Sequence, residues 1–406
     1  MPVIFHQDNL VALLSAADAT AEQSSTLNTS EPIRVAGSSL LEIQLMALRR
    51  AGCSFFIIEV DHVSGALLAM VDRFRRDGLS LEFARNTNDL RELVQPGMRL
   101  IIQAEDHFYS DEIIADLMAH KTAFLATIDS REENTDFERI DLNTRWAGFA
   151  SVNAEVIFKM KELPDDWSLV SSLLRQAVQE KSEFLMLPQV HLQNKAIAKI
   201  DNKAKASELN NHILNLRTKK SSGWIEKVFY APLAKFLAPK IWSNPSLSSL
   251  SRYSGFIFAL ICLASAFLDL PILALCSALI GLFCKYLDSV VQGNDFALKN
   301  GIWPDGIFWL ILCTSGLVVA YSLSNYGSDP ISFMAVMIGL AILGRNLTLP
   351  DWCKAWILSP SLIVICLILA VLMSVFSTGI KVLVLAQLLV LIAGRHLSER
   401  KHVNND

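Results

Sequence analysis

Leu40 to Val60 reads LLEIQLMALRRAGCSFFIIEV. In its first half Leu40, Leu41, Ile43, Leu45, Met46 and Leu48 recur at the spacing of one buried helix face, and Ala51-Gly52 closes the helix. Its second half, Cys53 to Val60, is short and apolar, with Phe55, Phe56, Ile57 and Ile58 in succession, which predicts a buried strand. The alternation continues downstream. Ser64 to Arg76 reads as a helix, Leu79 to Ala84 as a strand, Thr87 to Val94 as a helix and Leu100 to Gln103 as a short buried strand. Helix and strand in this order predict an α/β sheet with parallel pairs. Ligands of such sheets sit beyond the carboxyl ends of the strands.

Farther out the composition changes. The chain has 406 residues, 52% hydrophobic and 19% charged. These averages conceal a split, because mixed charges run to about residue 250 and apolar runs dominate from Tyr253 to Gly394. The net charge of -4 leaves no basic footprint, so no nucleic-acid partner is expected. Apolar windows fall at 253–270, 272–288, 306–324, 331–349, 356–376 and 379–394, punctuated by Pro271, Pro304, Pro330, Pro350 and Gly379. They predict an all-α membrane domain of about six transmembrane helices. Arg252, Lys285, Lys299, Arg345, Lys354, Arg395, Arg400 and Lys401 share one side if the chain enters at Arg252 from the cytoplasm. The opposite turns, around Asp269, Asn325 to Asp329 and Ser377 to Gly379, hold no Lys or Arg. Lys381 is the exception, with a stem long enough to snorkel. The expectation is a multi-pass protein of a bacterial inner membrane with both termini cytoplasmic and the lipid bilayer as its partner.

Leu10 to Ala17 resembles a short signal core, but Met1 to Asn9 has no Lys or Arg and Asp18 breaks the run, so secretion is not expected. Cys262, Cys276, Cys284, Cys313 and Cys366 lie inside apolar runs, and no cysteine pair has metal-ligand spacing. Neither disulfides nor zinc are expected. Asn194 to Lys220 is polar and lysine-rich and reads as a linker or exposed helix. Trp224, Val228, Phe229, Leu233, Phe236, Leu237 and Ile241 then recur at near-helical spacing with Lys227, Lys235 and Lys240 between them, the pattern of a helix lying in the membrane interface. Pro232 and Pro239 divide it into two short segments. The expected organisation is an N-terminal segment 1–32, an α/β domain 33–193, a linker and juxtamembrane segment 194–251, six spans in 252–395 and a tail 396–406.

Candidate chemistry gathers at two places. The strand Leu100 to Gln103 runs into Ala104-Glu105-Asp106-His107, and adjacent carboxylates at a strand end suit Mg²⁺ held against phosphates. The structural alternative is a helix-capping turn. At the membrane face Lys285 and Asp288 stand one helical turn apart, and Asp295 and Asp305 flank a loop with Asn294, Lys299 and Asn300. Asp288 is the second metal candidate there, and a snorkelling i, i+3 ion pair is the alternative. Asp165-Asp166-Trp167 reads as the start of a helix to Gln179, and His107 and His191 stand without partners at ligand spacing.

Two families are resembled. Val35-Ala36-Gly37-Ser38-Ser39-Leu40-Leu41-Glu42, the helix to Gly52 and Phe56-Ile57-Ile58 resemble the second motif of sugar-nucleotide pyrophosphorylase-type nucleotidyltransferases. Leu100 to Asp106 resembles their L-x-x-N-G-D, which places the metal-binding aspartate on Asp106. Phe137 to Asp141 and Trp146-Ala147-Gly148-Phe149 resemble a later strand and the W-A-G-x segment. The resemblance implies a GT-A/Rossmann-like fold. It departs where the family has a Gly-rich first loop and a nearby lysine, for here the first glycine is Gly37 and the first lysine Lys121.

Such a domain followed by Gly223-Trp224 and about six helices resembles enzymes fused to a CDP-alcohol phosphatidyltransferase. That family's D-x-x-D-G-x-x-A-R and G-x-x-x-D-x-x-x-D place the first aspartate on Asp288. Val291, Gln292, Asp295-Phe296, Asp305, Trp309 and Cys313 then occupy the remaining motif positions. The resemblance therefore implies a relative of phospholipid headgroup enzymes with both sites degraded, acting as a non-catalytic partner or lipid-binding subunit in a homo- or hetero-oligomer. Its implied ligands are Mg²⁺ and a nucleotide-activated alcohol or phospholipid. Two other readings stand beside it: an active CDP-alcohol phosphotransferase with a divergent metal site at Asp288, Asp295 and Asp305, and a small-solute transporter, against which count the absence of an internal repeat and the few polar residues at mid-span.

Overall fold

The computed structural model describes residues 10–16, 33–160, 168–219, 223–293, 302–324, 329–346 and 359–403. The chain forms two compact units, Met1–His212 and Ile213–Asp406. In the first, an apolar run supplies β1 (Leu10–Ser15) and a small hairpin supplies β2 (Arg34–Val35) and β3 (Ser38–Ser39). There follow α1 (Leu40–Arg50), β4 (Phe55–Glu59), α2 (Gly65–Arg76), β5 (Ser80–Ala84), α3 (Thr87–Leu93), β6 (Arg99–Gln103), β7 (His107–Tyr109), α4 (Asp111–Ala119) and β8 (Phe124–Asp129). The unit continues with β9 (Thr144–Asn153), α5 (Glu155–Lys159), α6 (Leu169–Gln179), β10 (Glu183–Met186), α7 (Val190–Gln193) and β11 (Ile197–Lys199), and α8 (Lys203–Lys219) begins in it and ends in the second unit.

Local chemistry sets the helix starts. Ser39 accepts from the Glu42 N–H while the Glu42 side chain accepts from the Ser39 N–H, a reciprocal cap at the head of α1. Ser64, Asn86 and Ser168 cap α2, α3 and α6 in the simpler way. The main sheet runs β10-β8-β9-β6-β1-β4-β5. Strands β6, β1, β4 and β5 are parallel, with Val11 opposite both Phe55 and Leu100, and β9 is antiparallel to β6 and β8. Leu13, Ile57, Leu100, Ile102 and Trp146 meet in the core. The sheet is α/β as expected, and it reaches further toward the N-terminus than residue 33. Leu10 to Ser15 belongs to its centre because an unbroken apolar run is what a strand buried on both faces requires.

Two other expectations change. Phe137 to Asp141 forms no strand beyond a single bridge from Arg139 to Arg145. Asp141 turns the chain there by accepting from the Asn143 and Thr144 N–H groups. The polar stretch 194–220 contains a packed helix, α8, with Ala206, Leu209, Ile213 and Leu214 buried. Those positions share one face, and the lysines and asparagines between them hide the period in a composition-based reading.

The second unit is helical. A π-helical turn (Glu226–Tyr230) leads into α9 (Ala231–Ser243), followed by α10 (Pro245–Phe267), α11 (Pro271–Gln292), α12 (Ile302–Ser322), α13 (Asp329–Asn346), α14 (Pro360–Leu372) and α15 (Phe376–Val403). Pro232, which has no N–H to donate, lies just past the π-helical turn, and α9 runs on through Pro239 instead of splitting. Among the described residues three helices are long and apolar enough to cross a membrane: Leu247–Phe267, Pro271–Gln292 and Phe376–Gly394. Gly306–Ser322, Asp329–Gly344 and Pro360–Leu372 are apolar but shorter, so six full spans are not what the described helices provide. Helices α10 and α11 approach closely at glycines, since a Cβ on Gly281 would lie 3.4 Å from that of Phe258. Lys381, the one cation on the expected outer side, lies 3.3 Å from Asp329.

Candidate functional site

Strand β1 lies between β4 and β6, so the chain moves outward on one side of β1 and then crosses to the other. The crevice at such a reversal is where open α/β sheets present their ligands. Strand β6 ends there at Gln103, and Ala104, Glu105 and Asp106 turn the chain into β7 at His107. Gln44, 1% exposed on α1, straps this turn. Its Nε2 donates to the carbonyls of Ala104 at 2.8 Å, Glu105 at 3.1 Å and His107 at 2.8 Å. Gln103 Nε2 donates to the His107 carbonyl as well, at 3.1 Å.

Asp106 is held from both sides. Its Oδ1 lies 2.6 Å from His107 Nδ1, off the axis of the ring N–H, and its Oδ2 lies 3.2 Å from Lys199 Nζ. Lys199 arrives because β11 pairs antiparallel with β7, which sets Lys199 opposite His107. The Asp106 carbonyl accepts from the Ile200 N–H at 2.7 Å, and Lys199 Nζ also donates to the Asp136 carbonyl at 2.8 Å. Burial alone would push the Asp106 carboxyl up. The His107 and Lys199 contacts outweigh it and bring the group down to about 2.

His107 is buried against Phe137 and Trp146, with ring centroids 5.4 and 6.4 Å away. Gly148 makes room for it. The glycine has φ of +90°, and a Cβ there would lie 2.3 Å from the imidazole Cδ2. Tyr109 donates its hydroxyl to the Ala147 carbonyl, so the Trp146 to Phe149 segment and the acidic turn are built as one piece. At the end of β4, Glu59 accepts from the Leu169 N–H at 2.5 Å and thereby caps α6. Burial raises its carboxyl, and the bonds from the α6 terminus oppose that.

The arrangement bears on metal binding directly. Mg²⁺ takes oxygen ligands in an octahedral set, and at Asp106 both oxygens already face positive or proton-bearing groups of the chain itself. An ion there would have to displace Lys199. No group of three or more His, Cys, Asp or Glu side chains converges to hold a metal among the described residues.

In the helical unit Lys285 and Asp288 lie on α11 as expected. Lys285 Nζ lies over the Phe256 and Phe308 rings, 5.9 and 6.0 Å from their centroids. Asp288 Oδ1 accepts from Gln292 Nε2, and Gln292 Oε1 accepts from Arg252 at 3.1 Å. Asp295 falls outside the described residues, as do Asp165 and Asp166 and the side chain of Asp305. The α11 carboxyl end is closed by groups that composition did not flag. Arg217 donates to the carbonyls of Val290 and Val291 at 2.8 and 3.1 Å, and Trp242 Nε1 donates to Val291 at 3.0 Å. Trp309 and Cys313 line an apolar cavity of about 180 Å³.

Gln44, Lys199 and Arg217 are the residues missed in the sequence. Each sits in an ordinary helix or strand pattern, and its role depends on a partner distant along the chain.

No protein-family model matches this sequence, and no curated protein matches it. Solved structures similar to the N-terminal half include two that serve as examples. One is the nucleoside-diphosphate-sugar pyrophosphorylase from Vibrio cholerae RC9, 8% identical over 50% of this chain and 99% of that one, with a TM-score of 0.36. The other is the inositol-1-phosphate CTP transferase from T. maritima, 12% identical over 50% of this chain and 96% of that one, with a TM-score of 0.36.

Proposed function

We propose that the chain is a membrane-embedded relative of phospholipid headgroup enzymes that transfers neither nucleotidyl nor phosphatidyl groups and serves as a lipid-binding partner subunit. The observation that carries this reading is the engagement of Asp106 by His107 and Lys199. A metal-binding aspartate must keep its charge available to a cation from solution, and this one spends it on the fold. The sequence adds that no glycine or lysine precedes Gly37 and Lys121 respectively, where a phosphate-cradling loop would need them. In the helical unit, Trp309 and Cys313 stand at the positions of two motif aspartates and line an apolar cavity. Bringing metal and pyrophosphate there would leave both without oxygen ligands from those positions. Three apolar helices of spanning length are consistent with action at a bilayer.

The test is turnover. Purified full-length protein is incubated with Mg²⁺, CTP and phospho-alcohols, and separately with CDP-alcohols and phospholipid acceptors. The reading expects no product above a protein-free control. Product formation that Asp106→Asn or Asp288→Asn abolishes would overturn it and restore the enzyme.

A further inference from the structure

The apolar cavity of the helical unit lies among α10, α11, α12, α13 and α14. Leu275, Ala278 and Leu282 form one wall, and Trp309, Met334 and Ile363 stand on others. The volume, about 180 Å³, exceeds the roughly 150 Å³ of an apolar cavity that stays dry and admits benzene. The polar groups of its lining are few. The Ser315 hydroxyl is already bonded to the Ile311 carbonyl at 2.6 Å, and the others are the indole N–H of Trp309 and the thiols of Cys262 and Cys313. A water needs two to four polar partners, and a sugar or nucleotide needs more, so the lining selects hydrocarbon. The cavity is not sealed, since Ile342 at its edge is 56% exposed.

One end of this space carries charge. Leu282, Trp309, Leu312 and Val364 line the cavity and also pack in one cluster with Phe256 and Phe308. Those two rings lie beneath the Lys285 ammonium, and Lys285 follows Leu282 by one helical turn. Arg252 stands at the same end of α11 through its bond to Gln292, Asp288 lies beside them, and a second carboxylate, Glu226, accepts from Ser359 and Ser361 on either side of the cavity-lining Pro360. An apolar slot that ends under a cation matches a molecule with a hydrocarbon tail and an anionic head.

We infer that the cavity holds part of one acyl chain of an anionic phospholipid, with the lipid phosphate against Lys285. The inference rests on the lipid-binding reading above and deepens it by naming which part of the lipid goes where. A tail inserted between α12 and α14 also replaces the packing that the cavity otherwise lacks, which stabilises the helices around it.

The experiment uses the full-length protein in vesicles of phosphatidylcholine containing a trace of phosphatidylglycerol with a diazirine in one tail, followed by peptide mapping of the photoadducts. Phosphatidylcholine with the same labelled tail is the parallel probe. The expected adducts fall on cavity residues such as Met334, Met337 and Ile363 and favour phosphatidylglycerol. Filling the space with Ala278→Phe, or independently with Gly316→Leu, lowers these adducts about tenfold, with thermal melting recorded for each variant so that only folded protein is scored. Lys285→Gln leaves tail insertion in place and reduces the preference for phosphatidylglycerol about fivefold, the worth of one interfacial lysine. Adducts confined to outward residues such as Leu310 and Leu385, or unchanged in both folded filling variants, would overturn the inference. Equal labelling by the two lipids in the wild type would remove its headgroup half. If the protein also turned over CDP-alcohols while the cavity was labelled, the non-catalytic reading would fall and the lipid site would stand. Absence of both turnover and cavity adducts would do the reverse.

Discussion

In the α/β unit Asp106, Glu59 and Gln44 are buried or half-buried, and each is met by a partner from another element: Lys199 on β11, the head of α6, and the carbonyls of the Ala104 to His107 turn. In the helical unit Gln387, fully buried on α15, has neither amide atom hydrogen-bonded among the described residues. An α/β fold can bring a strand or loop to a buried polar side chain, because its backbone leaves groups to spare at strand ends. A membrane helix spends all its backbone groups on itself, and a side chain inside it depends on what its helical neighbours present. Asp106, which looks like chemistry in the sequence, is therefore consumed by structure, whereas the Gln387 amide stays unspent.

This comparison can be broken at several points. The largest effect is expected at Gly148, where Gly148→Ala puts a Cβ into the His107 ring and forces a positive φ on alanine. It should cost about 3 to 5 kcal/mol, read as a lower melting temperature or faster proteolysis of the α/β unit. Gln44→Leu removes three bonds to one buried turn and should cost about 2 to 3 kcal/mol by the same measurements. Arg217→Met removes the bonds to the Val290 and Val291 carbonyls, leaving Val291 with Trp242, and should cost about 1 to 3 kcal/mol in the helical unit, while the protease resistance of the α/β unit is unchanged.

A pH experiment sharpens the Asp106 half. Its folded value, about 2 against the ordinary 3.8, is depressed, so the stability it contributes is complete above about pH 4 and is lost as pH falls through about 2. Lys199→Met takes away one of the lowering contacts, so the Asp106 contribution should be smaller and its loss on acidification complete at a higher pH than in the wild type. Coincident profiles for the two proteins would mean that Lys199 does not hold the carboxylate. The smallest change is expected at Gln387, where Gln387→Leu replaces an unbonded amide by a side chain of similar size. It should be neutral or stabilise by about 1 kcal/mol, and a clear loss of stability would show that the amide has a partner.

Much of the α/β order was readable in advance. Residues 40–103 alternate between period 3.6 and short apolar strands, and α1, β4, α2, β5, α3 and β6 appear where that alternation predicts. Strand β1 was obscured because an apolar run near an N-terminus reads as a failed signal core unless its neighbours in the sheet are known. Those neighbours, β4 and β6, lie about 45 and 90 residues farther along. The site was half legible. Glu105 and Asp106 stand out as adjacent acids after a strand, but their meaning depends on Lys199, whose arrival follows from β11 pairing with β7. No local period encodes that pairing. In the helical unit apolarity marks the helices and hides their ends, since Pro360 opens a short α14 where composition alone suggests a longer span.

The central claim, that Asp106 serves the fold and not a metal-nucleotide, is tested most directly by titrating Mg²⁺ and CTP together into the full-length protein by calorimetry, alongside Asp106→Asn. The account predicts no magnesium-dependent nucleotide heat for either protein, together with a lower melting temperature for Asp106→Asn. Magnesium-dependent binding by the wild type that Asp106→Asn removes would contradict it.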